Sequence, residues 1–155
     1  MANLSIGDTA PAITLPRDGG DPVDLAAMTG QKVVVYFYPK DDTPGCTKEA
    51  IGFTEKAADF AGAGAVVWGV SKDSIAKHAK FRAKYELGIA LLSDEDGSVC
   101  EDYGVWVEKN MYGKTYMGIE RATYLIDADG KIAQIWRKVK VPGHVDAVLE
   151  AVRAL

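Results

Sequence analysis

The residues with the greatest capacity for chemistry fall in one stretch, Tyr36-Phe37-Tyr38-Pro39-Lys40-Asp41-Asp42-Thr43-Pro44-Gly45-Cys46-Thr47-Lys48-Glu49. Thr43 is a good helix N-cap and Pro44 is pre-organised for the first helical position, so Gly45 and Cys46 fall at the second and third. Cys46 is therefore expected in the first turn of a helix, where unpaired backbone N–H groups and the helix dipole favour negative charge. The thiolate is the nucleophilic form of cysteine, and this is a place that stabilises one. Pro39 ends the preceding strand and shapes the loop, the Thr43 hydroxyl is near enough in sequence to share hydrogen bonds with whatever the sulfur attacks, and Gly45 leaves the backbone open to a ligand. The competing reading of the segment is a plain helix start with Cys46 as a small buried hydrophobe.

The elements that must position this segment can be read from periodicity. Val33 to Tyr38 is a run of six apolar residues bounded by turn signals, which predicts a central strand buried on both faces. From Pro44 a helix is expected to continue, through Ile51, Phe53, Ala57, Ala58 and Phe60, until Gly62 and Gly64 stop it. Ile13-Leu15 and Val23-Leu25 read as short extended pieces around the turn at Arg17-Asp18-Gly19-Gly20-Asp21. Further strands are expected at Ala65–Val70, Leu91-Leu92, Arg121–Ile126 and Lys131–Lys138, and further helices at Ser74–Tyr85, Val99–Tyr103 and from Val145 onward. Val107 to Met117 reads as a polar, aromatic-spotted loop. Strands alternating with helices, then a hairpin and a closing helix, predict an α/β fold of thioredoxin-like order: a mixed central sheet with helices on both faces and an N-terminal hairpin.

Composition bounds the function. With 155 residues, no internal repeat and no linker, one domain spanning residues 1–155 is expected. Lys+Arg 18 against Asp+Glu 22 leaves a net charge of −4, which gives nucleic acid no electrostatic footprint. No apolar run is long enough for a membrane helix, and two cysteines, Cys46 and Cys100, cannot make a disulfide framework. A reducing, cytoplasmic setting is the expectation. His78 and His144 have no partners at metal-ligand spacing and are expected at the surface; no metal or other cofactor is expected.

The pattern Pro39-x-x-x-Thr43-x-x-Cys46 resembles the active-site motif of peroxiredoxins. The longer run Tyr38 to Thr47 resembles the bacterioferritin comigratory protein, or peroxiredoxin Q, subgroup. The likeness continues through Leu92-Ser93-Asp94-Glu95-Asp96, Tyr103-Gly104-Val105-Trp106, Gly113-Lys114-Thr115-Tyr116, Gly118-Ile119-Glu120-Arg121 and Leu125-Ile126-Asp127-Ala128-Asp129-Gly130-Lys131. It implies a thiol-dependent peroxidase that reduces hydrogen peroxide and organic hydroperoxides. Cys46 would be the peroxidatic cysteine, Thr43 the hydroxyl that bonds the peroxide oxygens, and Arg121 the cation that favours the thiolate. Glu49, three residues after Cys46, would oppose thiolate formation by itself and is expected to orient Arg121. The alternatives are an exposed hairpin position for Arg121 and a solvated helix face for Glu49.

One departure from the subgroup concerns recycling. Many members carry a resolving cysteine five residues after the peroxidatic one, and here that position is Ile51. A sulfenic acid on Cys46 would have to be reduced by an outside thiol, whether thioredoxin, glutaredoxin or a low-molecular-weight thiol, or by Cys100, whose alternative role is structural. A monomer or weak homodimer is expected. Two other classes remain open, a thioredoxin-like disulfide reductase and a non-catalytic binding or holdase protein of the same fold; the missing Cys-x-x-Cys pair speaks against the first.

Overall fold

The computed structural model describes residues 4–155. After a short antiparallel hairpin, β1 (Thr14–Leu15) with β2 (Val23–Asp24), the chain enters the central strand β3 (Lys32–Phe37). β4 (Ala65–Ser71) and β5 (Ala90–Ser93) extend the sheet in parallel on one side, while β8 (Ala122–Ile126) and β9 (Ile132–Trp136) extend it antiparallel on the other. The order is β5-β4-β3-β8-β9. Side chains alternate along β3 as the pleat requires. Val33, Val35 and Phe37 enter one core, Val34, Tyr36 and Tyr38 the other, and none is more than 1% exposed. That two-sided burial is why the sequence shows an unbroken apolar run instead of alternation.

The face carrying Tyr36 packs against α1 (Pro44–Glu55), α2 (Ala57–Gly62), α3 (Ile75–Tyr85) and α5 (His144–Ala154); the opposite face packs against α4 (Ser98–Asp102) and the N-terminal hairpin. The arrangement is the thioredoxin-like one expected. The carboxyl ends of the parallel strands β3, β4 and β5 share one edge of the molecule, and the loop into α1 leaves from there.

Two elements differ from expectation. The helix after Pro44 is broken at Lys56 (φ −100°, ψ 5°) into α1 and α2. Phe53 of α1 and Phe60 of α2 stand on either side of the break with their rings 5.7 Å apart, inside the same core. The second is the segment expected as a loop, which is the hairpin β6 (Trp106–Met111) and β7 (Lys114–Ile119). Its tip residues Tyr112 (φ 53°) and Gly113 (φ 79°) both lie in the left-handed region, as a tight two-residue hairpin turn requires. Most of its side chains are exposed, so no alternation of apolar and polar residues marks the strands.

Candidate active site

Sequence and geometry agree on how Cys46 is presented. β3 ends at Phe37, the Tyr38 amide donates to the Val70 carbonyl at 3.1 Å, and Pro39, with no N–H to donate, leaves the ladder. Thr43 is the N-cap of α1 and Pro44 sits in its first turn. The Thr43 hydroxyl does not cap the helix: it donates to the Lys40 carbonyl at 2.9 Å. The first-turn amides of α1 are thus left without a side-chain acceptor, facing the end where Cys46 sits.

Arg121 and Glu49 come to the sulfur from different elements. Arg121 stands just before β8, and its carbonyl accepts from the Val139 amide at 2.9 Å. Its Nη2 donates to Cys46 Sγ at 3.3 Å and its Nη1 to Glu49 Oε1 at 2.7 Å. The expected orienting role of Glu49 therefore has a geometric basis, and neither alternative, exposed arginine or solvated acid, describes the pair. Gly45 leaves room for the same approach: a Cβ there would stand 3.2 Å from Arg121 Nη2, so the guanidinium would have to shift.

Glu49 is fully buried, and its Oε2 has no hydrogen-bond partner among the described residues. Burial pushes its pKa up from 4.5 to about 7, against the pull of Arg121. A carboxyl that holds its proton more tightly folded than unfolded contributes stability that is complete below about pH 4.5 and is lost as the pH rises through about 7. The stability of the native protein relative to Glu49→Gln, whose amide does not titrate, should fall on the order of 3 kcal/mol between pH 4.5 and 8. Urea unfolding across that range measures it, and a pH-independent difference would contradict the burial argument.

The two histidines are not at the surface. His78 is fully enclosed beneath the loop that precedes Cys46, and His144 is 6% exposed, its Nε2 2.8 Å from Thr123 Oγ1. Burial, with the charge of Arg121, pushes His144 down to about 4, so it adds no second cation at neutral pH. His78 and Phe81 fall three apart on the buried face of α3, a helical spacing that could have revealed the histidine as internal.

Cys100 is not brought to the site. It is fully buried in the core on the opposite face of the sheet from Cys46, and its amide donates to Asp94 Oδ2 at 2.8 Å. Burial and the adjacent Asp94 carboxylate raise its thiol pKa far above the ordinary cysteine value. Among the described residues no cluster of His, Cys, Asp and Glu suited to a metal ion is found, and no helix is long and apolar enough to cross a membrane.

Residues 6–135 match the AhpC/TSA family. The peroxiredoxin Bcp of Escherichia coli K12 is 48% identical over 96% of this chain and 96% of its own length. That of Bacillus subtilis 168 is 46% identical over 97% and 96%. Among solved structures, a cysteine-to-serine variant of Xylella fastidiosa PrxQ matches with a TM-score of 0.93 at 39% identity, covering 99% of this chain and 98% of that one. The Xanthomonas campestris bacterioferritin comigratory protein matches at 0.87 and 47%, covering 92% and 90%. Likeness this complete, in sequence and in fold together, settles the family: the chain belongs to the AhpC/TSA family, as a thiol-dependent peroxidase of the Bcp and PrxQ peroxiredoxins.

Proposed function

We propose that Cys46 is the peroxidatic cysteine of this enzyme and that the cycle runs through its sulfenic acid. The contact that carries the reading is the 3.3 Å approach of Arg121 Nη2 to Cys46 Sγ, with the guanidinium held by Glu49. The Cys46 thiolate attacks one peroxide oxygen, an S–O bond forms as the O–O bond breaks, and the leaving hydroxide or alkoxide takes up a proton. The sulfur loses two electrons and becomes Cys46–SOH. Charge moves from sulfur to the leaving oxygen, so donors aimed along that path lower the barrier. Arg121 and the first-turn amides of α1 supply them; the Thr43 hydroxyl, which donates its proton to the Lys40 carbonyl, offers its oxygen to the peroxide O–H, Glu49 orients Arg121 and Pro39 shapes the loop. Hydrogen peroxide and organic hydroperoxides are the substrates. The alkyl peroxide reduction studied in the Xanthomonas campestris relative supports the second class.

Recycling uses an external thiol, whether thioredoxin, glutaredoxin or a low-molecular-weight thiol. That thiol attacks the sulfenic sulfur, water leaves and a mixed disulfide forms; a second thiol then releases Cys46. Two observations support this. Ile51 occupies the position five residues after Cys46, about 140° round the helix once a full turn is removed. Cys100 lies buried beyond the sheet, and a disulfide needs Cα atoms within about 7 Å. Cys100→Ser should therefore keep thiol-driven peroxide turnover within about two-fold of native, since no step of this cycle uses the Cys100 thiol. Quantitative Cys46–Cys100 disulfide after one equivalent of peroxide, seen by mass spectrometry of non-reduced digests, would refute the external-thiol cycle.

A further inference from the structure

The loop between β3 and α1 is gripped by a buried polar chain that the reaction above does not use. Tyr38 Oη donates to Asp41 Oδ1 at 2.6 Å. His78 of α3 brings Nδ1 to 2.6 Å from Asp41 Oδ2 and Nε2 to 2.8 Å from the Leu92 carbonyl oxygen of β5. A carbonyl has no proton to give, so Nε2 carries one. Asp41 Oδ1 already accepts from Tyr38, and one proton is shared along the short Nδ1 to Oδ2 line, so ring, carboxyl and phenol fix one another.

The groups facing His78 favour a proton on the ring. Asp41 and Tyr38 face it from the loop and the end of β3, Asp73 approaches from the turn after β4, and β5 offers only the Leu92 carbonyl. Lys77, on its own helix, is spent on Asp73 at 3.7 Å, and Arg82 on Asp18. Burial works against charge on the ring, but the Asp41 and Leu92 hydrogen bonds and the Asp73 carboxylate outweigh it and raise the His78 pKa.

The same elements hold the rest of the loop. The Asp41 amide donates to Asp73 Oδ2 at 2.7 Å. Asp42 stands at φ 59°, a left-handed conformation that Asp adopts more readily than most residues with a Cβ and that its contacts hold here. Its carboxylate accepts from Lys84 Nζ at 2.8 Å and Tyr85 Oη at 2.7 Å, both on α3. One residue further on is Thr43, and three after that Cys46.

We propose that His78 is a positioning residue for the peroxidase reaction, fixing through Asp41 the Pro39–Thr43 loop and with it the Thr43 hydroxyl and the helix turn that presents Cys46. The proposal rests on Cys46 as the peroxidatic residue. His78 does not touch the sulfur; it removes freedom from the segment that aims the donors, and displacements of about 1 Å in such groups cost up to 10²-fold in rate.

The test is the second-order rate of Cys46 oxidation by hydrogen peroxide in the native protein, His78→Gln, Asp41→Asn and the double variant, each checked for folding by circular dichroism. Each single variant should react about 10-fold slower or worse, and the double variant no slower than the worse single, because both changes break one link. A native rate in His78→Gln, or losses that multiply in the double variant, would overturn the proposal. If the native protein itself were not oxidised at Cys46, the assignment of that residue would fail instead. In case no variant folds, ¹⁵N NMR of the native protein decides: His78 should hold a proton on Nε2 and a strongly hydrogen-bonded Nδ1, and a ring with Nε2 unprotonated or Nδ1 free of a hydrogen bond would overturn the link.

Discussion

Cys46→Ser should lower peroxide reduction at least ~10³-fold while leaving the fold intact. The substitution exchanges sulfur for a smaller oxygen at a buried site, and the hydroxyl still finds Arg121 Nη2 beside it. The lost chemistry is specific: an alkoxide is not formed at neutral pH, and no second thiol stands near enough to replace it. Cys100 is separated from the site by the central sheet, and its thiol pKa is raised by burial and Asp94. Thiol-coupled turnover with hydrogen peroxide measures the effect, and retention of near-native turnover in the serine variant would remove Cys46 from the mechanism.

The second large effect is expected for Arg121→Ala. Loss of one donor at a site of developing charge typically costs about 10²–10³-fold, and Arg121 is the side chain that touches both Cys46 Sγ and Glu49. Stability should suffer as well. Removing one partner of a buried pair costs roughly 3–5 kcal/mol when the other stays charged, and Glu49 is fully enclosed. Because burial already pushes Glu49 up to about 7, the acid escapes part of that cost by taking a proton. The destabilisation should therefore be larger at pH 8 than at pH 5. The double variant Arg121→Ala with Glu49→Gln should regain stability at pH 8 but none of the rate, since the donor is still missing. Stopped-flow oxidation and urea unfolding separate the two effects; a rate within three-fold of native in Arg121→Ala would show that the guanidinium does not assist the reaction.

How much of this was legible in the sequence depended on how strongly each feature writes itself into periodicity. The central strand was plain because a strand buried on both faces must be apolar at every position, as Val33 to Tyr38 is. The start of α1 was plain because Thr43 and Pro44 leave little choice of backbone, although the hydroxyl of Thr43 turned to Lys40 instead of capping the helix. The β6-β7 hairpin was missed since its side chains face mainly water and its turn is fixed by backbone conformation at Tyr112 and Gly113. The break at Lys56 has no signal in the sequence because the apolar spacing of a helix continues across it; the bend accompanies packing of the Phe60 ring at 5.7 Å from that of Phe53.

The site divides in the same way. Cys46 and Thr43 lie in one local motif, while Arg121 joins them only through the resemblance or through the fold, being seventy-five positions from Cys46 in sequence. His78 had no local signal of its partner, for Asp41 lies thirty-seven residues away. Its burial opposite a carboxylate emerges only when α3 folds against the loop.

The most direct measurement is the chemical state of the thiols after a single oxidation. Reduced protein is mixed with one equivalent of hydrogen peroxide in the presence of a dimedone-type trap, digested and mapped by mass spectrometry. Formation of Cys46–SOH by attack on the peroxide gives a trapped adduct on Cys46, with Cys100 recovered as the free thiol. Peroxide consumed with Cys46 unmodified, or an adduct carried by Cys100 alone, would contradict the assignment of Cys46 as the peroxidatic residue.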